Sequence, residues 1–249
     1  PSSIGLSTDG FGEPSAYTIE NSAWFDGSND YIGETTIWDG NTTKWAMSIW
    51  VKRSKIGAQQ YMWYWRIGGN DAMGFESNDT LYWEAGAAGV FQTTRVFRDP
   101  TAWTNIVAVW DTNATNGSRS DDVNDRMRLY VNGVHETAGT LSAYPGSGTE
   151  SVAVGRDASG YLNVGAKNGG SPHNDIAHWN GYLADFIILD NPTGATPAAM
   201  GLGEFDANNN WIPLDPAGLT FGSGGCWFDF QTNTDYGSDE SGNSNDMTD

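Results

Sequence analysis

The fold is decided by the stretch SAWFDGSNDYIG at Ser22 to Gly33 and by WAMSIWVKRS at Trp45 to Ser54. In the first stretch an apolar start, WF, is interrupted by the polar turn DGSND and resumes with YI. In the second, side chains alternate with a period of two. One face carries Trp45, Met47, Ile49 and Val51, and the other carries Ala46, Ser48, Trp50 and Lys52. Such alternation predicts strands with one buried face, as in a β-sandwich.

Further strands are predicted along most of the chain. The segment Gln60 to Gly69 alternates again and places Tyr61, Trp63, Trp65 and Ile67 on one face. Two later segments, Ala102 to Asp111 and Asp125 to Glu136, form a predicted antiparallel pair.

Turn and helix signals complete the outline. Asn132-Gly133 predicts a type I′ hairpin, because both central positions need a positive φ. Asn180 to Asp190 is apolar on both faces, which predicts a central strand covered on each side. One helix candidate has Thr196 as its N-cap and Pro197 at its first position.

The charge and cysteine content limit the classes of function. The 249 residues carry a formal net charge of −19, which disfavours nucleic acid and anionic membranes as partners. Cys226 is the single cysteine, so the chain has no intrachain disulfide. The first residues, PSSIGLSTDGFGEPSAYT, contain no apolar run, so we expect neither a signal peptide nor a transmembrane helix.

The order FDGSNDYI, MSIWVKRS, WTNIVAVWD, RLYVNGV, VAVGRD and GYLADFIILD resembles a laminin-G-like, concanavalin-A-like sandwich from about Trp24 to Asp190. The later TPAAMGLGEFDANNNWIPLDPAGLTFGSGGCWFDF with DESGNSNDMT looks like structural proteins of tailed phages. The resemblance implies an all-β fold, an antiparallel two-sheet β-sandwich of jelly-roll topology. We expect an N-terminal arm at residues 1–20, the sandwich at 21–230 and an acidic tail at 231–249, too polar to form a core.

The chain offers weak candidates for catalysis. Glycosidases of this fold use E-x-D-x-x-E on one strand, and the nearest approach here is Glu204-Phe205-Asp206, with Asn209 in place of the second glutamate. His173 and His178 lie near Asp175 but lack cysteine support for a zinc site. We therefore expect no catalytic residues and a protein that is not an enzyme.

Calcium is the expected cofactor, because laminin-G-like and pentraxin-like sandwiches often hold Ca²⁺ at the rim through oxygen ligands. The predicted ligands lie in the acidic tail and are Asp235, Asp239, Asn243 and Asp246. A second acidic cluster includes Asp121, Asp122 and Asp125 with Asn113. The alternative is that both acidic clusters are only solvated and bind no metal.

A sugar site needs exposed aromatic faces beside polar groups. Four residues are predicted to share one rim: Tyr161, Asn163, His173 and Trp179. Since the chain has 12 tryptophans, most of them must lie in the core, and a structural role for any one of them is the alternative.

Together these features predict a non-enzymatic protein of a phage virion surface, either a tail-fibre or receptor-binding module or a head decoration protein. The expected partners are other virion proteins and a host-surface glycan, and the expected assembly is a homo-oligomer whose polar arm and tail pack on neighbours. A free carbohydrate-binding lectin and a glycoside hydrolase are the alternatives.

Overall fold

The computed structural model describes residues 17–34, 40–66, 70–86, 89–116, 123–151, 161–168, 175–231 and 235–248. The strands of these residues are numbered in chain order: β1 (Ala23–Asp26), β2 (Ile32–Glu34), β3 (Lys44–Arg53), β4 (Gln60–Arg66), β5 (Asn70–Phe75), β6 (Thr80–Ala85), β7 (Gly89–Val96), β8 (Thr104–Asp111), β9 (Met127–Val131), β10 (Val134–His135), β11 (Gly139–Ala143), β12 (Tyr161–Val164), β13 (Lys167–Asn168), β14 (Asp175–Ile176), β15 (Asn180–Asp190), β16 (Glu204–Phe205), β17 (Trp211–Ile212) and β18 (Cys226–Phe228).

Two antiparallel sheets of seven strands each account for most of the described strands. The first sheet has the order β1-β15-β3-β8-β9-β10, with β18 also paired to β15, and the second has the order β11-β7-β6-β5-β4-β12-β2. Two small hairpins, β13-β14 and β16-β17, stand apart from them. The predicted all-β, antiparallel two-sheet sandwich is therefore confirmed.

The core between the sheets is built around tryptophan rings, as the alternating strands predict. Trp45 is fully buried and its ring centroid lies 6.3 Å from that of Trp63, 6.1 Å from Trp83 and 6.4 Å from Trp110. The Trp45 indole N–H donates to the Ser151 hydroxyl over 3.1 Å. Large rings at these spacings contribute packing beyond the area they bury.

The outer face of the first sheet is covered over part of its area by the chain that follows β15. Met200, Leu202 and Phe221 pack there against Val107 and Tyr130. The central position of β15 with apolar residues on both faces is thus confirmed, since β15 pairs with both β1 and β3 and is buried from Leu183 to Leu189. Within the described part of the chain, Trp24, Tyr182 and Trp103 stay exposed elsewhere on this face.

Local expectations are confirmed at one turn and wrong at two other places. Asn132 and Gly133 have φ of 48° and 72°, as the hairpin between β9 and β10 requires. A β-bulge between Tyr61 and Trp63 turns Tyr61 to the outer face, against the predicted alternation. At Thr196 the chain makes a single turn, in which the Met200 N–H donates to the Thr196 carbonyl, rather than a helix.

The acidic tail reaches the core at Met247, and Tyr236 packs against the same cluster. Met247 is buried in the cluster between the sheets, and Thr248 and Gly33 exchange backbone hydrogen bonds of 3.0 and 2.8 Å. The expectation that the tail is too polar to contribute to the core is therefore wrong at Met247. The division of the chain after residues 20 and 230 stays a prediction, and residues 1–16 of the arm lie outside the described residues.

Among the residues that the structure describes, no helix has both the length and the apolar character needed to span a membrane. Cys226 is buried and unpaired, as the composition requires.

Candidate functional site

A row of exposed aromatic side chains crosses the open part of the first sheet's outer face. Trp24 is 46% exposed, and Tyr182 and Trp103 are each 37% exposed. Trp24 points outward because its neighbours Ala23 and Phe25 face the core. Large aromatic rings left in water are unusual on a monomer, and several together mark a binding surface. We call these three residues the aromatic row.

Strand register brings the row together. Trp24 of β1 is the register partner of Tyr182 of β15, and Tyr182 is in turn the partner of Lys52 in β3. Trp103 directly precedes β8, whose first residue Thr104 is paired with Val51. The three rings thus come from three separate parts of the chain.

The rings are close to one another but not coplanar. The Trp24 and Tyr182 centroids are 4.7 Å apart with an angle of 55° between the ring planes. Those of Trp103 and Tyr182 are 6.3 Å apart, also at 55°. The row therefore presents a succession of tilted faces rather than one flat surface.

A cleft of about 570 Å³ adjoins the row at Trp103. Its floor includes Trp50 and Ala184, which are register partners in β3 and β15, and Ile212 and Pro213 line another part. Residues 17–22, which lead into β1, also line it. This volume lies in the range of small-molecule sites, which are mostly apolar with a few polar groups.

A second cavity of about 330 Å³ shares residues 17–21 with the cleft and is lined by Asp185, Trp227 and Asp229. Asp185 is buried in the irregular stretch of β15, and its carboxylate accepts hydrogen bonds from the Tyr17 hydroxyl (2.9 Å) and the Trp227 indole N–H (3.0 Å). Burial raises the pKa of Asp185, the two hydrogen bonds oppose that rise, and the negative charges of Asp229 and Asp215 add to it.

Two of the residues predicted for a sugar rim, Asn163 and Trp179, are buried. Trp179 is fully buried in the core, where its ring centroid lies 6.0 Å from that of Phe75, so the expectation of an exposed face at Trp179 is wrong. Trp179 belongs to the hydrophobic cluster between the sheets. Asn163 is buried in β12, and Tyr161 is the first residue of the same strand. His173 lies outside the described residues.

Three of the predicted calcium ligands in the tail, Asp239, Asn243 and Asp246, make hydrogen bonds within the protein. The Asp239 carboxylate accepts from the backbone N–H groups of Trp227, Ser241 and Asn245, all at 2.9 Å. Asp246 accepts from the Asp239 N–H at 2.9 Å, and the Asn243 amide donates to the carbonyls of Gly222 and Gly225.

These hydrogen bonds connect the tail loop to the chain around Gly222 to Trp227. Within the described ranges, no group of three or more His, Cys, Asp or Glu side chains is placed to hold a metal ion. Calcium binding by Asp235, Asp239, Asn243 and Asp246 stays a prediction. In the second acidic cluster, Asp121 and Asp122 lie outside the described residues.

The nearest approach to a glycosidase motif lies on the separate β16-β17 hairpin. Glu204 is exposed in β16, and Asp206 accepts backbone hydrogen bonds from Asn208 (2.8 Å) and Asn210 (2.7 Å) that close its own turn. These bonds hold the pKa of Asp206 below its usual value. Asp206 is thus occupied in shaping a turn, which argues against its use as a catalytic acid.

Sequence reasoning missed the aromatic row. The exposure of Trp24 could have been predicted from its position between two core residues. The outward direction of Trp50 could have been predicted because it alternates with the core residues Ile49 and Val51 of β3. Trp103 and Tyr182 carry no comparable sequence signal, because their exposure depends on where the chain after β15 stops covering the sheet.

Comparison with known proteins supports the fold alone. No family model and no curated protein matches the sequence. A heptameric SAP-like pentraxin from Limulus polyphemus is similar in structure, with a TM-score of 0.54 at 14% identity over 85% of this chain and 96% of that one. A putative carbohydrate binding protein from Bacteroides ovatus has a TM-score of 0.60 at 13% identity over 91% of this chain and 57% of that one.

The resemblance to laminin-G-like and concanavalin-A-like jelly rolls is therefore confirmed for the fold. The class that fold and site define is a jelly-roll sandwich with an aromatic row and an adjoining cleft on the outer face of one sheet. The resemblance to tailed-phage proteins stays a prediction.

Proposed function

We propose that this protein is a non-enzymatic module that binds a glycan along the aromatic row of Trp24, Tyr182 and Trp103. The observation that carries the proposal is the exposure of these three rings beside a cleft of about 570 Å³. The C–H face of a sugar ring packs on an aromatic ring, while nearby polar groups bind its hydroxyls. Asn21 and Ser22 line the cleft and supply such groups.

The tilt of the rings favours a single glycan chain as the ligand. A crystalline polysaccharide presents a flat surface, which would need coplanar rings, whereas the planes here differ by 55° at both contacts. A single chain can turn from one sugar to the next and so meet each ring in succession. The cleft beside Trp103 then receives a terminal or branching sugar.

Two further observations support binding rather than hydrolysis. The structurally similar Bacteroides ovatus protein is described as a putative carbohydrate binding protein. The hydrolysis of glycosides needs two carboxyl groups at defined separation on either side of the bond. Glu20, Asp185 and Asp229 line the cleft and its neighbouring cavity. The Asp185 carboxylate accepts hydrogen bonds from the Tyr17 hydroxyl and the Trp227 indole N–H, and Asp206 is held in its own turn. This engagement of both carboxylates supports binding rather than hydrolysis.

The proposal extends to the surface of a phage virion, as a tail-fibre or receptor-binding module or a head decoration protein that assembles as a homo-oligomer with other virion proteins. Its support is the resemblance of the chain after Thr196 to tailed-phage structural proteins. Mass spectrometry of purified virions tests this location. If the protein is absent from purified virions, a free lectin is the alternative.

Calcium binding has a separate test. A melting temperature that falls when a chelator is added would support it.

Replacing Trp103 with alanine should weaken glycan binding at least tenfold. Truncation of a central aromatic contact residue commonly costs 2 kcal/mol or more, and a factor of ten corresponds to about 1.4 kcal/mol. The measurement is calorimetric titration with an oligosaccharide first selected on a glycan array. Tyr82→Ala is the matched control, because Tyr82 lies on the outer face of the second sheet.

Unchanged affinity in both Trp103→Ala and Trp24→Ala would contradict the proposed site. A loss of binding in Tyr82→Ala instead would assign the ligand to the opposite sheet.

A further inference from the structure

The charged side chains that line the cleft and its neighbouring cavity are all acidic. Glu20 lines both spaces, and Asp185 and Asp229 line the smaller one. Neither lining includes a lysine or an arginine. The sign of charge around a binding site is one of the main means by which it discriminates between ligands.

From this arrangement we infer that the site selects neutral glycans and rejects glycans that carry carboxylate or sulfate groups. The inference rests on the proposed function and names its ligand class. An anionic sugar in the cleft would meet Glu20 directly and the field of Asp185 and Asp229 behind it. A neutral sugar meets carboxylate oxygens that accept hydrogen bonds from its hydroxyls.

The smaller cavity strengthens this discrimination. Asp185 is only 2% exposed, and its two hydrogen-bond donors, the Tyr17 hydroxyl and the Trp227 indole, are neutral groups. Burial raises the pKa of Asp185, and the negative charges of Asp229 and Asp215 add to that rise, so the surroundings of this cavity already disfavour negative charge. A further anion would be disfavoured in the same way.

A lysine of the first sheet lies beside the aromatic row in the strand register. Lys52 is the register partner of Tyr182 and lines neither cavity. Its charge interacts favourably with Asp99, which contributes to the lowered pKa of that carboxyl after the hydrogen bonds from Thr101. The charge that lines the cleft and the cavity themselves comes from Glu20, Asp185 and Asp229.

The test compares one neutral oligosaccharide that the protein binds with the same oligosaccharide oxidised to a carboxylate at C6. The wild-type protein should bind the oxidised form at least tenfold more weakly, and the difference should shrink as the salt concentration rises. Glu20→Lys should restore binding of the oxidised form to within about threefold of the neutral one. Glu76→Lys, the same charge change beyond β5 of the second sheet, should leave the discrimination intact.

Equal or tighter wild-type binding of the oxidised form would overturn the selectivity and leave glycan binding standing. Unchanged discrimination in Glu20→Lys would also overturn it. Failure to bind any neutral or oxidised glycan would instead contradict the proposed function, and the inference would fall with it.

Discussion

Replacing Asp79 with alanine should lower the free energy of unfolding by about 3–5 kcal/mol, because it leaves a buried cation without its partner. The Asp79 carboxylate is buried and binds Arg53 at 3.0 Å and Arg98 at 2.8 Å. It also accepts the Gly57 N–H at 2.7 Å. The Arg53 side chain is only 4% exposed, so its charge cannot turn to water. Denaturant unfolding measures the change.

Two variants separate the charge from other effects of this substitution. Asp79→Asn keeps the shape and tolerates the positive φ of 68°, so its loss of stability reports the missing charge. Arg98→Ala removes the partner whose side chain is 58% exposed, and it should cost no more than about 1 kcal/mol. A cost below about 1 kcal/mol in Asp79→Ala would show that the buried pair does not stabilise this end of the sandwich.

The same carboxylate gives the protein a dependence on acid. Burial acts to raise the pKa of Asp79, but the hydrogen bonds from Gly57, Arg98 and Arg53 outweigh it and hold the pKa below its usual value. The contribution of Asp79 to stability is therefore complete above its unfolded-state pKa of about 4 and is lost as the pH falls through the lower folded-state value. Asp79→Asn should remove this part of the acid sensitivity.

Replacing Trp45 with alanine should also cost about 3–5 kcal/mol, the range for removing a large buried ring. Trp45 is fully buried and contacts the rings of Trp63, Trp83 and Trp110. Its removal leaves a cavity between the sheets. The buried Ser151 hydroxyl also loses the hydrogen bond that the Trp45 indole N–H donates to it. The measurement is again the free energy of unfolding.

Trp24→Ala is the matched control for Trp45→Ala. Trp24 is 46% exposed on the outer face, so its loss should change stability by less than about 1 kcal/mol while it weakens glycan binding. Equal destabilisation by the two substitutions would mean that the aromatic row is part of the structural core rather than a binding surface.

Much of the fold could be predicted because the alternation of apolar and polar residues shows which face of each strand is buried. The alternation in β3, the turn at Asn132-Gly133 and the two-faced apolar run of β15 are local features, and each is seen in the structure. Alternation failed at Tyr61, because a bulge inserts a residue that only strand pairing determines. The burial of Met247 was also hidden, since one apolar residue in a polar tail gives no periodic signal.

The site was harder to predict, because the exposure of a side chain depends on which segments, remote in the sequence, pack over it. Trp179 was expected at the surface from its place next to a loop, yet it packs against Phe75 in the core. Trp103 and Tyr182 are exposed because Met200 and Phe221 cover a different part of the same sheet face. Which part of a face stays open is a property of tertiary packing, which no local pattern encodes.

The central claim is that a glycan binds on the outer face of the first sheet, and nuclear magnetic resonance of the tryptophan indole N–H groups tests it most directly. During titration with a neutral oligosaccharide, the indole signals of Trp24 and Trp103 should shift together, while that of the buried Trp45 should stay unchanged. Unchanged indole signals of Trp24 and Trp103, with shifts instead in the backbone amide signals of Tyr82 and Asn163 of the second sheet, would contradict the account.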